Sequence, residues 1–112
     1  MPLKVVKRDG VREPFDPQKI RQGLSKACWK RPIKDQDIQA LVTKIESHVY
    51  DNLDVEIESR ELGEMLMEGL RELDDVAFVR FASVYRRFED VHDFVDELQP
   101  MLQARLDKKE GK

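Results

Sequence analysis

The chain has 112 residues, 38% of them charged, and a formal net charge of −3, which fits one small domain with a modest core and leaves no room for a second. Cys28 is the single cysteine, so a disulfide scaffold and a cysteine-built zinc ribbon are excluded within these residues. No apolar run reaches membrane-spanning length and no secretory leader is evident, so a soluble protein in a reducing, cytoplasmic setting is expected. Charge is divided unevenly: residues 1–34 carry ten Lys and Arg against three Asp and Glu, whereas residues 35–112 carry ten against twenty. That sign change points the basic portion at a phosphate-bearing partner and leaves the acidic helices to solvent.

In chain order, two short strand-like runs flank Asp9-Gly10, a dipeptide suited to a two-residue hairpin turn with positive φ at both central positions. That turn would pair Arg8 with Val11, Lys7 with Arg12 and Val6 with Glu13, crowding charge onto one ribbon. Alternation would also point Lys7 and Arg8 to opposite faces. Asp16 is placed to cap the next helix, with Pro17 at its first position. Lys19, Arg21 and Lys26 follow, so cations from strand and helix are expected to converge on a polyanion. Pro32 ends this helix near Lys30.

Asp35 caps a second helix with an apolar stripe through Ile38, Leu41, Val42, Ile45 and Val49, closing near Tyr50. A turn at residues 51–54 and a short strand at Val55-Glu56-Ile57 lead to Ser59, read as the cap of a third helix bearing Leu62, Met65, Leu66 and Leu70. Gly63 and Gly69 mark close approach there. Asp74-Asp75 separates it from a fourth helix with the most aromatic face of the chain: Phe78, Phe81, Tyr85 and Phe88. A fifth helix with Val91, Phe94, Val95 and Leu98 should kink or stop at Pro100, and residues 107–112 read as a charged, disordered tail. The expected fold class is α+β, a small three-stranded sheet made of the N-terminal hairpin and a short third strand, covering a four- to five-helix bundle over residues 1–106.

Two stretches carry a family resemblance. Val5 to Ile20 resembles the opening of an ATP-cone, the nucleotide-sensing module of many ribonucleotide reductases and of the bacterial repressor of their genes, NrdR. Arg80-Phe81-Ala82-Ser83-Val84-Tyr85-Arg86-Arg87-Phe88-Glu89-Asp90 resembles the end of the NrdR cone more closely than the reductase version. The resemblance implies ATP or dATP as allosteric ligand, with magnesium compatible and no zinc in this chain. It implies contact of Lys7, Arg8 and Lys19 with phosphates, of Val5 with the adenine base, and of Glu13 with ribose hydroxyls or the adenine amine. Ser59 and Tyr85 match positions lining the family's pocket, although helix capping explains the serine and core packing the tyrosine. Glu13 is equally suited to a cross-strand ion pair, and Arg86 and Arg87 read as solvated arginines in preference to contacts with a second nucleotide's phosphates or with another subunit.

His48 and His92 lack partners at metal-ligand spacing, and neither a nucleophile elbow nor a Walker-type loop is present, so no catalytic or metal site is expected. The function that follows is an allosteric module that binds adenine nucleotides without turnover and controls oligomerisation. It would be tied to repression of ribonucleotide reductase genes. Expected partners are adenine nucleotides and further copies of the chain, with DNA reached only through a zinc ribbon or a partner outside it, and no membrane. One alternative is direct nucleic-acid binding by the basic third, weakened by the absence of a recognition helix and by the acidic remainder. Another is the detached regulatory cone of a ribonucleotide reductase.

Overall fold

The structure of the chain, a computed structural model, describes residues 3–52 and 56–110. Strands β1 (Lys4–Val6) and β2 (Arg12–Pro14) form the hairpin and lead into α1 (Pro17–Ala27) and α2 (Asp35–Asn52). Then follow β3 (Glu56–Glu58), α3 (Ser59–Leu73), α4 (Asp75–Tyr85) and α5 (Val91–Glu110). The sheet order is β2-β1-β3, with β1 antiparallel to β2 and parallel to β3, so the third strand joins the hairpin as expected. Val5 stands opposite both Glu13 and Ile57. The turn expected at residues 51–54 lies partly outside the described residues, and the described part of it continues α2.

The hairpin differs from the expected turn by one residue. Val6 pairs with Arg12 and Val5 with Glu13, and the closing bonds run from Lys7 N–H to the Val11 carbonyl and from Gly10 N–H to the Lys7 carbonyl. Only Gly10 has positive φ in this loop, at 87°, and Asp9 accepts the Val11 N–H through its own carboxylate. A three-residue loop with one left-handed glycine thus replaces the two-residue turn, because only Gly takes that conformation without a Cβ penalty. One residue of slip exchanges the faces of a strand. Here it lifts Arg8 out of the ribbon and into the turn.

Asp16 caps α1 by accepting the Gln18 N–H, with Pro17 at the first position, as the sequence predicts. Residue 58, not Ser59, is the N-cap of α3, and no side chain caps there. The serine is already inside the helix, because β3 runs into α3 without a connecting residue. α1 ends at Ala27, earlier than Lys30, and Arg80 of α4 donates to the exposed carbonyls of Ala27 (3.2 Å) and Trp29 (2.7 Å). A cation there answers the negative end of the helix dipole.

The core joins all three layers: Leu24 of α1, Val49 of α2, Ile57 of β3, Met67 and Leu70 of α3 and Phe78 of α4 are fully buried. α5 does not stop at Pro100; it continues through the proline to Glu110 and takes in most of the segment read as a tail. Pro100 is exposed, so the carbonyl it leaves without an N–H stays near water, and Lys108 and Lys109 suit the last helical turn. No helix among the described residues is long and apolar enough to cross a membrane.

Candidate functional site

A cleft of about 620 Å³ opens between the hairpin, the start of α1, the start of α3 and the end of α4. That size lies within the usual range for small-ligand sites. All seven residues singled out from the sequence, Val5, Lys7, Arg8, Glu13, Lys19, Ser59 and Tyr85, line it. Their elements explain the convergence. Val5 and Glu13 share a rung of the sheet, so their side chains leave the same face, and Lys7 follows Val5 by two residues. Lys19 projects from the first turn of α1.

Glu13 sits between the two lysines, 3.6 Å from Lys7 Nζ and 3.8 Å from Lys19 Nζ. It holds two like charges at one point, and both ammonium groups keep enough exposure to meet a further anion. Arg8 is bound differently. Its guanidinium donates to the backbone carbonyl of Tyr85 (3.3 Å) and lies 6.0 Å from the centre of the Tyr85 ring. The arginine thus rests on the negative end of α4 and keeps its full charge towards the cleft.

Tyr85 is fixed from the other side. Its hydroxyl donates to the Arg60 carbonyl at 2.6 Å, and its ring stacks on Phe81 at 6.2 Å. Burial, then the charge of Glu64, pushes its phenol above the usual range, so it stays a hydrogen-bond donor at neutral pH. Gly63 makes this possible, because a Cβ at that position would collide with the Tyr85 ring. With Leu62, Leu66, Phe81 and Val84 the ring forms an apolar wall facing the cationic rim.

Other cations of the basic third lie away from this cleft. Arg21, read from the sequence as converging on the anion, pairs instead with Asp35 and Gln39 of α2. Lys26 lines a separate groove of about 440 Å³ on the other side of Phe81 and Val84. Arg12 pairs with Glu56 at 2.6 Å, and hydrogen bonding to that carboxylate raises its pKa further. Trp29 is exposed, with Lys30 Nζ 4.6 Å from the centre of its ring. Among the described residues no cluster of three metal-capable side chains occurs.

A family model described as the ATP cone domain matches residues 3–91. The transcriptional repressor NrdR of Syntrophus aciditrophicus is 55% identical over 106 residues, covering 95% of this chain and 67% of the relative. That of Clostridioides difficile is 50% identical over 107 residues, 96% of this chain and 70% of the relative. That of Caldicellulosiruptor saccharolyticus is 46% identical over 106 residues, 95% and 69% respectively. The chain belongs to the ATP-cone family, in its NrdR branch.

Within this ATP-cone, Arg87 is the residue that the sequence weighs as a phosphate contact and sets aside as a solvated arginine. It lines the cleft and has φ of 54°, a left-handed conformation rare for a side chain of this size. The cause is the way α4 ends. Phe88 N–H bonds the Ser83 carbonyl at 2.9 Å and Arg87 N–H the Val84 carbonyl at 3.3 Å, the paired bonds of a Schellman cap with arginine where glycine is usual. Nothing in the run Tyr85-Arg86-Arg87 signals that conformation, since the glycine that normally marks it is absent. Arg86, its neighbour, turns away to Glu64 (3.2 Å) and Glu97 (2.6 Å) and ties α3 to α5.

Proposed function

We propose that the cleft binds an adenine nucleotide as an allosteric ligand, without turnover, and that its occupancy sets the assembly state of a cytoplasmic repressor of ribonucleotide reductase genes. The observation that carries this is the convergence of Lys7, Arg8, Lys19 and Arg87, from three separate elements, on a cleft with an apolar wall. In this reading the four cations take the triphosphate, with Glu13 gathering Lys7 and Lys19. Val5 and the wall around Phe81 and Tyr85 take the base. Ser59 lines the rim, and Glu13 is also the nearest acceptor for ribose or adenine donors. Magnesium is compatible with phosphates in so open a site.

Discrimination between ATP and dATP needs differential contacts of only about 1–3 kcal/mol between two assembly states. Relatives that carry this cone are named transcriptional repressors, which supports the regulatory role. DNA contact belongs to a segment other than the cone. The basic third does not offer a continuous track for a phosphate backbone, because Arg12, Arg21 and Arg31 are all engaged with acidic partners.

Calorimetry with ATP, dATP and GTP tests the reading: adenine nucleotides should bind and GTP should bind worse. Lys7→Ala and Lys19→Ala should each weaken triphosphate binding by about 10- to 100-fold, the worth of one charge-assisted hydrogen bond, with helicity unchanged. Unaltered affinity in both variants would remove the phosphates from this cleft. Salt-sensitive duplex binding with no nucleotide binding would favour the nucleic-acid alternative.

A further inference from the structure

Helix α5 presents a face that the described part of the chain leaves open. Val91, Val95, Leu102 and Leu106 are 73%, 41%, 58% and 54% exposed. At 100° per residue these four fall within roughly 60° of arc, so they form one stripe. A different flank of the helix meets the bundle: Glu97 receives Arg86, Met101 packs against the core and Arg105 pairs with Asp75. Four large exposed aliphatic side chains aligned on one face, in two pairs either side of Leu98 and Gln99, mark an interaction surface.

The row is complementary to itself. Reversed about the midpoint between Leu98 and Gln99, Val91 falls on Leu106 and Val95 falls on Leu102. Two copies lying antiparallel therefore set a valine against a leucine at each of the four outer levels, with Leu98 and Gln99 at the axis, which is what a two-fold, self-complementary contact requires. The charges obey the same reversal. Glu89, Asp90 and Asp93 stand at the start of α5, Lys108 and Lys109 in its last turn, and Lys109 continues the stripe beyond Leu106. Antiparallel pairing brings Lys109 to the other copy's acidic start and opposes the two helix dipoles, whereas parallel pairing stacks like charge on like.

We propose that α5 is a homotypic docking surface through which two copies of the chain pair antiparallel about a two-fold axis between Leu98 and Gln99. One helix of 20 residues is about 30 Å long, and a contact of that length falls below the area of permanent interfaces. The pairing is accordingly weak and open to control. Its control, though not the pairing itself, rests on the nucleotide-sensing reading above: Tyr85 and Arg87 line the cleft, and Arg86 between them holds α5 through Glu97. Whatever occupies the cleft thereby bears on the angle at which the stripe is presented.

The test mixes full-length chains carrying Val95→Cys with chains carrying Leu102→Cys under mild oxidation, without nucleotide and with ATP or dATP. The native Cys28 is buried and does not compete. Antiparallel pairing gives a disulfide-linked dimer in the mixture. Either variant alone stays monomeric, because like cysteines then lie about 10 Å apart along the axis, beyond disulfide reach. Cross-linking of Val95→Cys to itself, or of nothing under any of the three conditions, overturns the proposal. In parallel, Leu102→Glu should weaken self-association in sedimentation roughly tenfold or more, while calorimetry shows that the variant still binds nucleotide. Unchanged self-association, or a wild-type chain that stays monomeric at high micromolar concentration in all conditions, means that the stripe serves another occupant and overturns the proposal. Failure of wild-type chain to bind nucleotide strikes the sensing reading instead, and leaves the cross-linking result to stand by itself.

Discussion

Arg87 holds a conformation that costs about 1–2 kcal/mol for a residue with a Cβ, and it does so on the wall of the cleft. Arg87→Gly should therefore raise the denaturant midpoint, by up to about 1 kcal/mol of stability, while weakening triphosphate binding about tenfold. Paired denaturation and calorimetry decide this; a variant that is less stable and binds equally well would show Arg87 to be structural. Tyr85 makes the opposite case. Tyr85→Phe loses the bond to the Arg60 carbonyl and should cost about 1 kcal/mol in equilibrium unfolding, with the ring packing on Gly63 retained. At this scale the sequence shows which residue types meet in the cleft, since Lys7, Arg8, Glu13 and Lys19 of the Val5–Ile20 stretch are legible as candidates for one site. It does not show that Arg8 reaches Tyr85, because that contact spans 77 residues and depends on a one-residue choice of turn.

Among the elements, the corner between α3 and α4 is the most heavily determined. Asp74 accepts the Ala77 N–H as cap of α4 and takes both Arg31 Nε (2.8 Å) and a terminal Arg31 nitrogen (3.0 Å). Hydrogen bonding to Arg31 holds its carboxyl below the usual value of 3.8. A lowered pKa in the folded state means that the stabilisation is complete above the unfolded value and is lost as pH falls through the folded one. Asp74→Asn, which keeps a capping oxygen, should cost about 1 kcal/mol at neutral pH, and the gap from wild type should close in acid below pH of about 4. Urea midpoints across that range read it directly. Gly63→Ala should cost about 1–3 kcal/mol, because Tyr85 must leave its position over α3, and should weaken nucleotide binding with it. Asp74-Asp75 is readable in the sequence as a helix break, and Gly63 as a point of close approach. Their partners are not, since Arg31 lies 43 residues from Asp74 and no local pattern selects it over Lys30 or Lys34.

For the molecule as a whole, a ligand that binds only the folded cone at 100 times its dissociation constant adds about 2.7 kcal/mol, and for a domain of this size the melting temperature should rise by roughly 10 °C with ATP or dATP. GTP at the same concentration should shift it less, and scanning calorimetry compares the three. Much of the architecture follows from short-range rules that any stretch of the sequence obeys without its neighbours. Asp16-Pro17 starts a helix, alternation and apolar periodicity separate strand from helix, Asp9-Gly10 turns the chain, and the two motif stretches identify an ATP-cone before any packing is known. What only the tertiary structure decides is how charges and apolar side chains far apart in sequence are matched. Packing assigns Arg12, Arg21 and Arg31 to acidic partners and leaves Lys7, Arg8, Lys19 and Arg87 around the cleft. It likewise carries α5 past Pro100 and leaves one stripe of it uncovered. The physical reason is range: backbone propensity and periodicity act within a turn or two, whereas the partner of a charge or the cover of a helix face is set by which elements the core brings together.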